Sequence, residues 1–223
     1  MPIKINLLEI RFENPIHAKD ISLFRGAIIA SLGKNCNILY HNHDVERFRY
    51  RYPLIQYKRI QGKAAIICIG EGVNTIGDFL SNNKFDILLG KQKINLQIES
   101  IYPKQYVINE WNETFTYHLS DWLPLNQKNY VIYQSADALE DRIHLLEKIL
   151  TGNILSFCKS FDCMLESSLI CKILQITHTD IIYYKQTPML SVCLDFKTNI
   201  SLPNHIGLGK GVSLNHGNVF RKK

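Results

Sequence analysis

The sequence predicts an α+β chain of two tandem β-α-β-β-α-β units, each a ferredoxin-like (RRM-like) domain. Three observations carry this. The 223 residues fit two compact domains of about 100 to 150 residues each. The first hundred residues pass from strand-type alternation to helical spacing and back to two β-rich runs around a short turn. A weaker version of the same order then follows.

Taking the elements in order, Ile3, Ile5 and Leu7 alternate with Lys4 and Asn6, which predicts a first strand over Ile3 to Phe12. Ile21, Phe24, Ile28 and Leu32 recur at helical spacing after Pro15, and Gly33 is placed to end that helix. Tyr52 to Ile60 and Ala64 to Gly70 read as a hairpin around Gln61-Gly62-Lys63. Val73 to Leu80 predicts a short helix and Ile94 to Tyr102 a closing strand. In the second half, Thr114 to His118 is β-type, and Asp137 through Phe157 is a helix with Leu139, Ile143, Leu146, Leu150, Ile154 and Phe157 on one face. Asp137 with Glu140 resembles a capping arrangement at its start. A further helix is expected around Leu165 to Ile176, with strands at Ile181 to Tyr184 and Leu190 to Phe196. The boundary falls near Tyr102–Gln105, dividing the chain into domains 1–103 and 104–223.

The apolar fraction of 46% is ordinary for a globular protein, and no low-complexity stretch suggests a disordered arm. No run approaches the roughly 18 apolar residues of a membrane span, and the amino terminus reads as a strand rather than an export signal. A soluble, cytoplasmic protein is expected, with no membrane partner. The six cysteines, Cys36, Cys68, Cys158, Cys163, Cys171 and Cys193, contain no C-x-x-C pair, so buried free thiols are expected rather than a zinc ribbon or redox motif. Asp195 is the last acidic residue, and Lys197, Lys210, Arg221, Lys222 and Lys223 beyond it supply nearly all of the net charge of +6. Such a basic segment suits a polyanion, although a terminal charge run also serves as a solvated tail.

Residues with chemical content fall in two clusters. The first is Tyr40-His41-Asn42-His43-Asp44. Two neighbouring imidazoles are able to divide general base and general acid between them, as metal-free cleavage of an RNA backbone requires. Spacing alone leaves two other readings open: a surface loop with no chemistry, or two ligands of a metal. The second cluster is Gly207-Leu208-Gly209-Lys210-Gly211-Val212-Ser213-Leu214-Asn215-His216-Gly217. Residues without a Cβ let backbone N–H groups approach a phosphate, and Lys210 and Ser213 add a cation and a hydroxyl. The spacing is neither that of a Walker loop nor of a dinucleotide fingerprint. In isolation the segment reads equally as a ligand loop or a glycine-rich turn.

Taken in order along the chain, several short motifs form one pattern: Leu23-Phe24-Arg25-Gly26, Leu39-Tyr40-His41-Asn42-His43-Asp44, Arg51-Tyr52-Pro53-Leu54-Ile55-Gln56-Tyr57-Lys58 and Ile69-Gly70-Glu71-Gly72. Leu150-Thr151-Gly152-Asn153-Ile154-Leu155, Phe196-Lys197-Thr198-Asn199, Leu202-Pro203 and Gly207 through Ser213 continue it. Together they resemble the CRISPR-associated endoribonucleases that cut precursor CRISPR RNA within its repeats, the Cas-six family, and in particular its b-type branch. The resemblance implies tandem ferredoxin-like domains, repeat RNA as the partner, and cleavage by 2′-OH attack without metal or cofactor. Products would be a 5′-hydroxyl and a 2′,3′-cyclic or 3′ phosphate.

By motif, the catalytic histidines map onto His41 and His43 in the first domain. Tyr40 either orients a phosphate or packs, and Lys58 either stabilises the phosphorane or sits at a strand edge. The candidate RNA contacts are Arg47, Arg49 and Arg51, which alternate as on one strand face, and Gly207, Gly209, Lys210, Gly211, Ser213, Asn215, His216 and Gly217 in the second domain. The family's loop closes with glycine, one residue and glycine, whereas this chain has Asn215-His216-Gly217. The remaining histidines, His118 among them, are expected to be surface or satisfied core residues. A CRISPR effector complex and a second copy of the chain are further partners to consider. Two other classes stay open: an RNA-holding subunit that does not cut, and a metal-dependent nuclease using His41, His43 and Asp44.

Overall fold

The computed structural model describes residues 2–32, 40, 52–81, 85–163, 165 and 169–222. The chain divides into two compact units. One comprises Lys4–Tyr106 together with Ser213–Asn215, and the other Met1–Ile3, Val107–Val212 and His216–Lys223. No helix among the described residues is long and apolar enough to cross a membrane.

In the first unit, β1 (Ile3–Pro15) leads through a 3-10 turn (Ala18–Asp20) into α1 (Ile21–Leu32). The hairpin β2 (Ile55–Ile60) and β3 (Lys63–Ile69) follows, then the short helices α2 (Glu71–Thr75) and α3 (Gly77–Ser81), the small hairpin β4 (Asp86–Leu89) and β5 (Gln92–Asn95), and β6 (Ile98–Ile108). The sheet order is β2-β3-β1-β6, the ferredoxin arrangement in which each helix crosses over to a strand two places away. Gln61 and Gly62 both take positive φ, 51° and 85°, as a two-residue hairpin turn demands. The expected closing strand is divided: its first residues pair with β4 as β5, and β6 begins at Ile98.

The core follows from the period-two register. Ile10, Ile66 and Tyr57 form one rung across β1, β3 and β2, and Leu8, Cys68 and Ile55 form another. Both rungs belong to the core that holds Ile21, Phe24, Ile28 and Leu32, the apolar stripe of α1. Phe24 meets Phe12 and Tyr57 edge-on, at centroid separations of 6.0 and 5.8 Å. Removing a ring of this kind costs about 3–5 kcal/mol.

In the second unit, β7 (Glu110–Trp122) is followed by α4 (Gln127–Ser135), α5 (Leu139–Lys159), β8 (Cys171–Tyr184), β9 (Thr187–Ile200) and β10 (Asn218–Arg221). The sheet order β10-β7-β9-β8 repeats that of the first unit, fourth-first-third-second. Between β9 and β10 the second helix of the motif gives way to the glycine-rich segment. Leu146, Leu150, Ile154 and Phe157 are buried on α5.

Three expectations are corrected here. Leu139 lies outside the α5 stripe, 67% exposed at the helix start. The cap is Ala138 rather than Asp137, with no side-chain capping bond. No helix runs to Ile176: β8 begins at Cys171 and pairs with β9 almost to its tip. The β-branched run Ile173, Ile176, Thr177, Thr179, Ile181 and Ile182 favours that pairing, and a short apolar run is ambiguous in period until a partner strand is present.

The cysteines among the described residues are free thiols. Cys68, Cys158, Cys163 and Cys171 are buried and Cys193 half-buried, while Cys36 lies outside the described residues. Burial pushes the Cys158 and Cys171 thiols up to about 12, so neither is a nucleophile at neutral pH.

Candidate functional site

His41, His43, Arg47, Arg49 and Arg51 lie outside the described residues. The structure does define the surroundings of their neighbours in sequence. Tyr40 is buried, its hydroxyl donates to the Thr75 carbonyl at 2.8 Å, and its own carbonyl accepts from the Tyr57 hydroxyl at 3.3 Å. The phenol is therefore used inside the core of the first unit, and it ties the residue before His41 to β2 and to the end of α2. Gly72 lets α2 begin against the carbonyl of Leu54, because a Cβ there would come within 2.5 Å of that oxygen.

Lys58 occupies β2 one residue from Tyr57 and on the opposite face, in one rung with Ala65 and Arg11. It is 1% exposed, and burial pulls its ammonium down to about 7. A strand edge normally leaves a lysine solvated, and β2 is the outer strand of its sheet. Its edge is nevertheless occupied by Ser213–Asn215. The Tyr57 N–H donates to the Ser213 carbonyl at 3.1 Å, Tyr57 bridges Leu214 in parallel, and the Arg59 N–H donates to Asn215 Oδ1 at 3.0 Å. Asn215 holds φ at +70°, the left-handed conformation that glycine takes freely and asparagine adopts at modest cost. A glycine there would keep the turn and lose the acceptor for Arg59.

The glycines of this segment are demanded by its own packing. A Cβ on Gly209 would meet Trp122 Nε1 at 2.7 Å, where that indole N–H donates to Asn153 Oδ1. A Cβ on Gly207 would come within 2.9 Å of the His216 carbonyl, and one on Gly211 within 2.8 Å of the His216 ring. A Cβ on Gly217 would collide with the Leu208 carbonyl. Gly209, Gly211 and Gly217 also have positive φ. His216 packs edge-on against Tyr184, ring centroids 5.4 Å apart. Lys210 is exposed, its Nζ 3.9 Å from Met189 Sδ.

One cluster has no motif in the sequence. His118 on β7, Asp195 on β9 and Gln175 on β8 share a rung of the second sheet. Asp195 accepts from His118 Nδ1 at 2.8 Å, from Gln175 Nε2 at 2.6 Å and from Lys222 Nζ at 2.6 Å. Burial works against its charge, but the donors from Lys222, Gln175 and His118 outweigh it and hold the carboxyl down at about 2. The four residues are spread over more than a hundred positions, so only strand pairing reveals them. Among the described residues no three His, Cys, Asp or Glu side chains gather as a metal site.

Comparison with known proteins matches residues 1–107 to the profile of the Cas6b N-terminal domain and residues 109–222 to that of the Cas6b C-terminal domain. A crystal structure of Cas6b superposes with a TM-score of 0.86 at 25% identity, covering 99% of this chain and 100% of that one. A crystal structure described as the CRISPR RNA processing endoribonuclease Cas6b gives 0.73 at 25% identity, with the same coverage. An uncharacterised protein of Methanocaldococcus jannaschii is 37% identical over 103 residues, which is 46% of this chain and 69% of that protein.

Proposed function

The chain belongs to the Cas6b family of CRISPR RNA-processing endoribonucleases, and from that premise we propose that it cuts precursor CRISPR RNA within the repeat by metal-independent 2′-OH attack. His41 and His43 divide the two proton transfers. One imidazole takes the proton of the 2′-OH, and the other protonates the departing 5′-oxygen, leaving a 5′-hydroxyl and a 2′,3′-cyclic phosphate. Imidazole is suited to both tasks because its pKa lies near the working pH. In this reading the domain at 1–103 carries these histidines and the domain at 104–223 carries the glycine-rich segment, whose Ser213–Asn215 portion groups with the first unit.

The observation that supports this reading best is the bond from β2 to the residue that precedes His41. Tyr40, immediately before His41, is bonded to Tyr57, and Lys58 follows Tyr57 with its ammonium drawn down to about 7. A lysine shifted that far costs less to deprotonate and exchanges protons near neutral pH. In the proposed site it opposes the charge that develops on the phosphorane. Tyr40 contributes by position, holding the start of the histidine segment rather than touching phosphate. Arg47, Arg49, Arg51 and Lys210 track the RNA backbone as phosphate contacts. The glycines serve the loop's packing, and through Ser213 and Asn215 the loop steadies β2.

The test is cleavage of end-labelled repeat RNA from the host's own array in excess EDTA, by wild type, His41→Ala, His43→Ala and the double variant. Site-specific cutting that survives EDTA, stops when the ribose before the scissile phosphate is 2′-deoxy, and falls about 10²-fold or more in a histidine variant supports the proposal. Cutting abolished by EDTA would move the histidines to a metal. Binding without cutting would make the chain an RNA-holding subunit.

A further inference from the structure

The His118 cluster lies on the sheet of the second unit and takes no part in the chemistry assigned to His41 and His43. A buried carboxylate among strands carries a desolvation penalty, and an apolar residue of similar volume would serve stability as well or better. Here the carboxylate is 4% exposed while the groups it holds are not: the His118 side chain is 33% exposed and that of Lys222 is 47% exposed. Asp195 thus acts from inside the sheet on two side chains that solvent reaches.

The chemistry of the arrangement is specific. An ionised carboxylate only accepts, so the bond to Asp195 assigns the proton of the neutral imidazole to Nδ1. Nε2 is left as an acceptor, and among the described residues it has no hydrogen-bond partner. Lys222 uses one ammonium proton on the other oxygen of the same carboxylate and has two more to donate. Thr116 pairs with Lys197 one same-face rung along, which puts a second lysine on this side of the sheet. A fixed acceptor beside cationic donors matches a ribose 2′-OH beside its phosphate, the pair that distinguishes RNA from DNA.

We infer that His118, oriented by Asp195 and flanked by Lys222, forms a ribose–phosphate subsite that reads one 2′-OH of the RNA. Two members of the basic tail, Lys197 and Lys222, thereby acquire a defined place on the RNA. The subsite rests on the RNA-processing reading, because it takes the same strand of RNA. Asp195 is a positioning residue in it, acting through the tautomer of His118.

The experiment uses the full chain carrying His41→Ala and His43→Ala, and the host's repeat RNA with one 2′-deoxy substitution at a time. Fluorescence anisotropy gives the Kd of each. At one nucleotide the substitution is expected to weaken binding by about threefold to tenfold, the worth of a single hydrogen bond. Adding His118→Ala should cost the same on all-ribose RNA and make that nucleotide insensitive to 2′-deoxy. Asp195→Asn, which keeps the shape and releases the tautomer, should do likewise, and His118→Phe, which keeps the ring and removes the acceptor, controls for a packing effect. If every 2′-deoxy position costs the His118 variants as much as their parent, the inference is overturned while the processing reading stands. Failure of the parent protein to bind repeat RNA at all would overturn both.

Discussion

At the scale of single residues, Lys58 is a cation whose environment departs far from its ordinary state. Its ammonium titrates near 7 in the fold and near 10.5 in the unfolded chain, so between those values the unfolded state binds more protons. Stability should therefore rise as pH rises from about 7 to 10, and below 7 the cost of the buried charge is fully present. Lys58→Met should remove that pH dependence and raise the melting temperature at pH 6, while lowering the single-turnover cleavage rate by about tenfold or more. Thermal melts at pH 6 and pH 9 together with the cleavage rate check this. An unchanged cleavage rate would leave Lys58 a core residue. Tyr40→Phe deletes the bond to the Thr75 carbonyl, which is expected to cost about 1 kcal/mol in denaturant unfolding. A much larger loss of cleavage than of stability would return the phenol to the chemistry.

At the scale of an element, the segment from Gly207 to Gly217 does two jobs through its backbone. Its glycines admit close packing against Trp122, Asn153, Leu208 and His216, and its Ser213–Asn215 portion covers the free edge of β2. Gly217→Ala should destabilise the protein by several kcal/mol, because it combines a left-handed φ with a backbone collision. Asn215→Gly restores the usual family residue and keeps the turn, so it should melt within a few degrees of wild type. It should still slow cleavage severalfold, since the Arg59 N–H loses its acceptor on the strand that carries Lys58. Asn215→Asp keeps an acceptor and should recover the rate. Equal rates in all three proteins would show that the loop does not position β2.

At the scale of the whole molecule, the net charge of +6 is concentrated late in the sequence. RNA affinity should fall linearly in log–log form as salt rises, because each phosphate contact releases condensed counterions. Replacing Lys210 and Lys222 together by alanine should lower the steepness by about 0.7 per lost contact on single-stranded RNA. Anisotropy titrations at several salt concentrations test this. A slope unchanged by both substitutions would show the basic tail to be a solvated run.

Much of the fold is legible in local sequence. The stripe of Ile21, Phe24, Ile28 and Leu32, the Gln61-Gly62 turn and the buried Leu146, Leu150, Ile154 and Phe157 of α5 are readable because helical period and positive-φ turns are properties of neighbouring residues. The histidine motif and the glycine segment are legible for the same reason, as short strings with characteristic spacing. Other features depend on partners distant in the chain. Residues near Cys171 become a strand only because β9 lies beside them, and the edge of β2, the strand that carries the buried Lys58, is covered by Ser213–Asn215 from far along the chain. His118, Gln175, Asp195 and Lys222 meet only after three strands are in register. Burial and the hydrogen bonds between distant residues are long-range quantities, so the chemical environment of Lys58 and His118 is decided by tertiary packing, while the identity of the groups is written in the chain.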